Sequence, residues 1–175
     1  MISFESFPKL ETERLTLRQL NLNDAKSIFS LRTNKEVNEF ITREVPNNLA
    51  EARAFIDSVT NLIDENKAIF WIIESKNNNE LIGSIGLRHF DVEDNYAEIG
   101  YEINPSYQQR GLMNEAFEVV LKFAFEEMEL EAIEAFTHMD NDASIALLEK
   151  HNFVYQSERI DDKVENNYIY RLENS

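Results

Sequence analysis

Residues 96–120 read YAEIGYEINPSYQQRGLMNEAFEVV. Eight residues dominated by Tyr, Ile and Ala predict a strand over 96–103, and Pro105 stops it. Beyond Gly111 the apolar spacing becomes helical, with Met113, Phe117, Val120, Leu121, Ala124 and Met128 on one face. The joint between the two is the informative part. A helix N-terminus carries free N–H groups and partial positive charge, so it receives anions. Gly111 lets the backbone approach such an anion, and Arg110 adds a cation. No Gly-Lys-Ser/Thr follows, so this is not a Walker A loop, and G-x-G-x-x-G is absent, so it is not a dinucleotide fingerprint.

Working outward, residues 13–20 alternate as a strand, and Asn23 or Asp24 is placed to cap a helix ending near Arg32. The segment 34–47 is polar and irregular. A second helix is predicted over 48–66, with Leu49, Ala52, Phe55, Ile56, Val59 and Ile63 at helical spacing. Strands over 68–75 and 80–90 form a hairpin around Asn77-Asn78-Asn79. Downstream of the central joint come a strand over 131–139, a short helix over 141–152, and a closing hairpin in which 153–160 pairs with 165–172. The resulting order, β-α-α-β-β-β-α-β-α-β-β, is a mixed α/β arrangement, and the absence of repeats or linkers predicts one domain over 1–175.

Glycine is confined to Gly83, Gly86, Gly100 and Gly111, while turns elsewhere use Asn. Asn tolerates the left-handed region, so glycine is being kept for places where a missing side chain counts. Those places are a strand bulge or a backbone pressed against a ligand.

Composition narrows the function. With 17 Lys and Arg against 33 Asp and Glu, the net charge is −16. Such a surface repels nucleic acid and anionic membranes and would attract cationic substrates or basic proteins, although charge alone is read first as serving solubility. There are no cysteines, which excludes disulfides and a thiol nucleophile. No apolar run approaches the ~18 residues of a membrane span. The opening residues MISFESFPKLETERL lack the basic start and apolar stretch of a signal peptide, so a cytoplasmic location is expected. His89, His138 and His151 have no metal-ligand spacing, and no metal is expected. Phe117, Phe123 and Phe125 read as core, and the acids from Glu115 to Glu134 as a solvated helix face.

The stretch Gln108-Gln109-Arg110-Gly111-Leu112-Met113 resembles the Q/R-x-x-G-x-G/A signature of GNAT N-acetyltransferases. The longer stretch from Tyr101 to Ala116 is similar to the branch that acetylates ribosomal-protein N-termini at alanine or serine. The segment Asn141 to Phe153 resembles that branch's N-x-x-S-x-x-x-x-E-K-x-G-F hallmark, and LETERLTLRQL (10–20) resembles its opening. Three positions depart from the pattern. Met113 replaces Gly or Ala. Asn152 stands for Gly, at a helix end where Asn is the next-best left-handed residue. Leu148 occupies the place of a Tyr that protonates the leaving thiolate in many superfamily members, so that Tyr-acid mechanism is absent.

The resemblance implies a GNAT fold. Its sheet is mixed and mostly antiparallel, flanked by about four helices. It splays at the parallel pair formed by the fourth and fifth predicted strands, 96–103 and 131–139, with a bulge near Gly100 opening the cleft. It also implies acetyl-CoA as co-substrate, its pyrophosphate held by residues 108–113. The backbone N–H groups near Tyr101 and Ile103 would hold the pantetheine arm and acetyl carbonyl, with Asn141 as a pantetheine ligand or helix cap. Glu98 is implied as general base, against a solvent-facing strand residue. Ser144 is implied as donor to the sulfur or general acid, against an ordinary helix-start residue. The acceptor is expected to be a cationic amine, such as a basic protein N-terminus. A polyamine acetyltransferase and a non-catalytic acyl-CoA-binding module stand as alternatives, and monomer and homodimer both stay open.

Overall fold

A computed structural model describes residues 6–175. The first five residues of the opening stretch read above for a leader lie outside them. Among the described residues eight strands form one sheet: β1 (Leu10–Glu11), β2 (Leu15–Gln19), β3 (Ala68–Ser75), β4 (Leu81–Asp91), β5 (Tyr96–Ile103), β6 (Ala132–His138), β7 (Val154–Tyr155) and β8 (Asn167–Glu173). Their spatial order is β1-β2-β3-β4-β5-β6-β8-β7. Every pairing is antiparallel except β5 with β6. Four α-helices flank the sheet: α1 (Ala25–Thr33), α2 (Leu49–Asp64), α3 (Leu112–Glu126) and α4 (Asp142–Lys150). Among the described residues no helix is long and apolar enough to cross a membrane.

Capping fixes the helix starts. Asn48 accepts the Glu51 N–H at 2.9 Å, while the Glu51 carboxylate receives the Asn47 N–H at 2.8 Å, so α2 begins on reciprocal bonds. Asp24 occupies the N-cap position of α1, one of the two positions expected, but its side chain makes no capping bond to that helix. Asn21 opens a single 3-10 turn (Leu22–Asp24) as a capping box with Asp24. The Asp24 carboxylate is then engaged by the Asn21 N–H and by Arg18. The end of α4 turns on Asn152, at φ 63°. The Asn152 N–H reaches the Glu149 carbonyl and the Phe153 N–H reaches that of Leu148, both at 3.0 Å. This is the Schellman arrangement, made with Asn in the left-handed position. Asn66, Asn79, Asn95 and Asn166 also have positive φ, as expected for a chain that turns with asparagine.

The predicted elements differ from the observed ones at both ends of the chain. The strand over 13–20 is preceded by a separate short strand, because Thr12 Oγ1 accepts the Leu15 N–H at 3.0 Å and bends the chain. The strand over 153–160 shrinks to Val154–Tyr155. Beyond it Arg159 swings inward to pair with Glu134, so the chain leaves the sheet edge.

Two apolar layers sandwich the sheet. On one face, Trp71, Ile85, Leu87 and Ile99 pack against Phe117, Val120 and Ala124 of α3 and Leu148 of α4. On the other, Ile72 and Leu20 pack against Ile28 of α1 and Ile56 and Val59 of α2. Each fully buried large side chain here contributes roughly 1.5–3 kcal/mol. Phe117, Phe123 and Phe125 belong to the first layer, as expected. The acids of 115–134 are not uniformly solvated. Glu134 is 1% exposed between Arg159 and Arg171, and Glu115 is held by Thr12 and Arg14.

Gly83 explains part of the glycine distribution. A Cβ there would lie 2.3 Å from the Glu102 carbonyl oxygen of β5, closer than any real contact. Gly83→Ala is therefore expected to lower stability by about 1–3 kcal/mol through overpacking. The readout is the urea midpoint; an unchanged midpoint would mean that β4 and β5 move apart at no cost.

Candidate active site

The site is a fork in the sheet. β5 and β6 pair only over Tyr96↔Ala132, Ala97↔Ile133 and Glu98↔Glu134. Beyond Glu98 and Glu134 each strand keeps only its outer neighbour, β5 following β4 and β6 following β8. The expected bulge at Gly100 does not occur in the ladder to β4. That ladder runs in unbroken register from Gly83↔Ile103 through Gly86↔Gly100 to Arg88↔Glu98. The register shift lies instead between Arg88 and Asp91, where His89 has φ 50°. The arms part with their outer ladders intact.

Strand alternation assigns two faces to the fork. Ile99, Tyr101 and Ile103 of β5 point to the α3 and α4 layer. There the Tyr101 hydroxyl lies 2.6 Å from Ser144 Oγ, at the start of α4. The Tyr101 ring packs edge-on against Phe117 at 5.2 Å. Burial pushes this hydroxyl up to about 12, with the Ser144 hydrogen bond pulling the other way. It thus stays protonated, and able to donate, through the neutral range. Ser144 sits third in α4, its N–H bonded at 3.2 Å to the Asn141 side chain, which caps the helix. α4 is tied to α3 at its far end, where His151 Nε2 lies 2.9 Å from Asn114 Oδ1. Burial lowers the pKa of this imidazole.

The loop entering α3 opens on the same side. Gln109 and Gly111 have φ of 58° and 73°, and no side chain caps the helix at Gly111. Gln108, Gln109, Arg110 and Gly111 are all exposed, whereas Leu112 is buried and Met113 packs against the core. The Gln108 side chain turns back to the Ile103 carbonyl at 3.5 Å. A Cβ on Gly111 would meet only Arg14 Nη2, at 3.6 Å, so the approach is open. Exposed N–H groups, left-handed residues and two nearby arginines suit an anion such as a pyrophosphate.

Arg14 was not singled out from sequence, yet it organises this loop. Its Nη1 donates to the Arg110 carbonyl at 3.0 Å and its Nε to Glu115 at 2.8 Å. Glu115 also receives the Arg14 N–H at 2.8 Å and the Thr12 hydroxyl. The LETERL opening and the helix start thus form one clamp.

On the opposite face, toward α1 and α2, lie Glu98, Gly100 and Glu102. Glu98 Oε2 is 2.7 Å from His89 Nδ1 and 3.7 Å from Arg88 Nε, with its side chain 17% exposed. Its register neighbour Glu134 is burdened by burial but held below the usual carboxylate range by Arg159 and Arg171. The irregular segment before α2 spans the mouth on this face. Phe40 stacks on His138 of the β6 arm at 5.3 Å, and Arg43 pairs with Glu102 of the β5 arm. The structure therefore unites Tyr101, Asn141 and Ser144 on one face and puts Glu98 on the other. Glu102, Arg43 and Phe40 were missed; the four-residue spacing of Glu98 and Glu102, which places both on one strand face, was the available signal. Among the described residues no three His, Asp or Glu side chains are grouped as around a metal ion.

Comparison with known proteins agrees with this architecture. The profile of the acetyltransferase (GNAT) domain matches residues 14–154. The uncharacterized N-acetyltransferase YoaA of Bacillus subtilis (strain 168) is 37% identical over 147 residues, covering 84% of this chain and 83% of that protein. The ribosomal-protein-S5-alanine acetyltransferase from Vibrio fischeri superposes with a TM-score of 0.84 at 18% identity, covering 95% of this chain and 97% of that one. The microcin C7 self-immunity acetyltransferase MccE, solved with acetyl-CoA and AMP, superposes with a TM-score of 0.78 at 20% identity, covering 93% and 94%. A sheet forked at its one parallel pair, a left-handed loop entering an uncapped helix, and a profile match over most of the chain converge on one assignment: the chain belongs to the GNAT family of N-acetyltransferases.

Proposed function

We propose that the whole chain acts as one acetyl-CoA-dependent N-acetyltransferase domain whose acceptor is a primary α-amine, as at a protein or peptide N-terminus. The observation that carries this reading is the two-sided fork. A hydroxyl pair sits on the face shared with the anion-receiving loop, and a carboxylate sits on the other. Acceptor and donor could then meet from opposite sides. The likeness to a ribosomal-protein acetyltransferase supports an N-terminal acceptor.

Acetyl-CoA supplies an acetyl thioester. Its pyrophosphate would be held by the N–H groups over Gln108 to Met113, with Arg110 and Arg14 adding charge. Backbone groups near Tyr101 and Ile103, with Asn141 nearby, would line the pantetheine arm. In this reading Glu98 takes a proton from the acceptor ammonium, directly or through water. An α-ammonium has a reference pKa near ~8, so a modest base suffices. Ser144 Oγ–H donates a hydrogen bond to the departing thiolate, which takes up the second proton that the nitrogen releases as the amide forms. The Tyr101 hydroxyl, donating into Ser144 Oγ, leaves the serine proton free to point at the sulfur. The net charge of −16 attracts the ammonium form of the acceptor.

Acetyl-CoA is expected to raise the melting temperature, since it binds only the native state. Gly111→Val should abolish most of that shift, measured against the variant's own ligand-free Tm because φ 73° already strains any L-residue there. A flat response in the unaltered protein would remove the reading.

Ser144→Ala and Tyr101→Phe should each lower kcat by about 10–100-fold, with smaller changes in KM for acetyl-CoA. Their effects should be strongly non-additive, because the two hydroxyls act as one unit. Additive losses would separate them.

For Glu98→Gln, the loss in kcat/KM should be greatest at low pH and shrink as the acceptor deprotonates on its own. A loss independent of pH would assign Glu98 to positioning instead.

A further inference from the structure

The acceptor face carries a local charge opposite to that of the whole molecule. Arg43, from the segment spanning the fork, pairs with Glu102, and its Nε donates to Asn38 Oδ1 at 2.8 Å. Its remaining nitrogen, Nη2, is buried and has no hydrogen-bond partner among the described residues. A buried guanidinium N–H without an acceptor is costly, and native structures normally satisfy it. Arg32, from the last turn of α1, lies within electrostatic reach of both Arg43 and Glu102. Its guanidinium stacks over the Phe55 ring of α2 at 3.8 Å, and among the described residues no carboxylate pairs with it. Burial, then repulsion from Arg43, pull its pKa down to about 10, with Glu102 acting the other way. Two arginines thus face one carboxylate, leaving a surplus positive charge and an unused donor.

The location gives this surplus a use. Glu102 is on the β5 arm, next to Tyr101 and Ile103 and beyond the last parallel pair at Glu98. Arg43 lies three residues from Phe40, whose ring covers the β6 arm at His138. The pair therefore borders the fork on the face where the acceptor was placed. A polyamine, positive along its whole length, would meet repulsion there.

We propose that Arg32 and Arg43 form a carboxylate subsite, so that the preferred acceptor carries a carboxylate close to its reacting amine. Planar guanidinium groups bind carboxylates through paired, charge-assisted N–H donors, and Arg43 Nη2 has one to give. The ammonium is drawn by the acidic surface and the carboxylate by this one cationic spot, which orients the amine toward the fork. The carboxylate has two sources: the α-carboxylate of a free amino acid, or an acidic side chain near a peptide N-terminus. This inference rests on the acetyltransferase reading above.

Matched acceptor pairs test it. Serine is compared with serinamide, and the tripeptide amide Ser-Asp-Ala with Ser-Asn-Ala, each with acetyl-CoA and CoA release as readout. The unaltered protein should favour the acidic member of at least one pair by about tenfold or more in kcat/KM. The responding pair identifies the source. In Arg32→Gln, and in the charge-balanced double variant Arg43→Gln with Glu102→Gln, the acid-to-neutral ratio should collapse to within about threefold of unity. The double variant guards against misfolding caused by leaving Glu102 buried without its cation. Calorimetric titration of the same pairs gives a binding ratio that needs no turnover, so it decides the matter even where no CoA is released. No preference in either pair by either readout, or a preference untouched by both variants, would overturn the carboxylate subsite. Absence of acetyl-CoA binding would instead strike the acetyltransferase reading, and the two failures are distinguishable.

Discussion

The loss of the hydrogen-bond ladder between β5 and β6 after Glu98 and Glu134 is the constraint on which everything else depends. Parallel strands normally gain from pairing along their whole length. Here the gain is forgone over 99–103 of β5 and 135–138 of β6, more than half of each strand, and the backbone groups so released line a cleft. Both arms remain rigid because the remaining ladders, to β4 and to β8, are continuous across this region. At the closed end of the fork two neighbouring carboxylates, Glu98 and Glu134, are each matched with two basic side chains. Without those basic partners, adjacent acids on paired strands would repel and weaken the three residue pairs that join β5 to β6 among the described residues.

The fork also explains why the helices are arranged as they are. α3 begins where β5 has been released, so its free N–H groups open onto the cleft. α4 begins just after β6 ends and brings Ser144 against Tyr101. The hydroxyl contact and the Asn114–His151 contact fasten α4 at both ends. On the other face the segment before α2 has no regular structure of its own. It is held by one side chain on each arm, Phe40 and Arg43. Such a segment can vary in sequence without disturbing the sheet, which suits a region that selects the acceptor.

Much of this was legible in the sequence where local physics decides. The strands over 68–75 and 96–103 are observed at those limits, because a run of β-branched and aromatic residues marks the first and Pro105 stops the second. Asn141 and Asn152 were readable as the two ends of a helix, since capping and left-handed conformation depend on residue type. The position of the splay was less legible. Gly100 suggested a bulge, but pairing partners decide where a ladder ends, and these are contributed by β6 and β8, far along the chain. The role of the Tyr101 side chain was equally hidden, because its partner arrives from α4. Arg43 and Glu102 escaped notice for the same reason: each looks like an ordinary surface charge until the fold buries both.

The Glu115 clamp has a consequence for how the protein is made. Thr12 and Arg14 reach a carboxylate about a hundred positions further on, and Arg14 also buttresses the Arg110 carbonyl of the loop. Contacts so distant in sequence close only once the intervening strands have assembled. During synthesis, the first strands wait until the middle of the chain has emerged before this bracket can be built. The loop proposed to receive the anion is therefore completed late, as a product of long-range assembly and not of its own few residues. A partly folded or truncated chain would keep its Gly111 turn and its helix propensity, yet would lack the bracket that aims them. Competence to hold a nucleotide-bearing donor is in this way tied to completion of the fold.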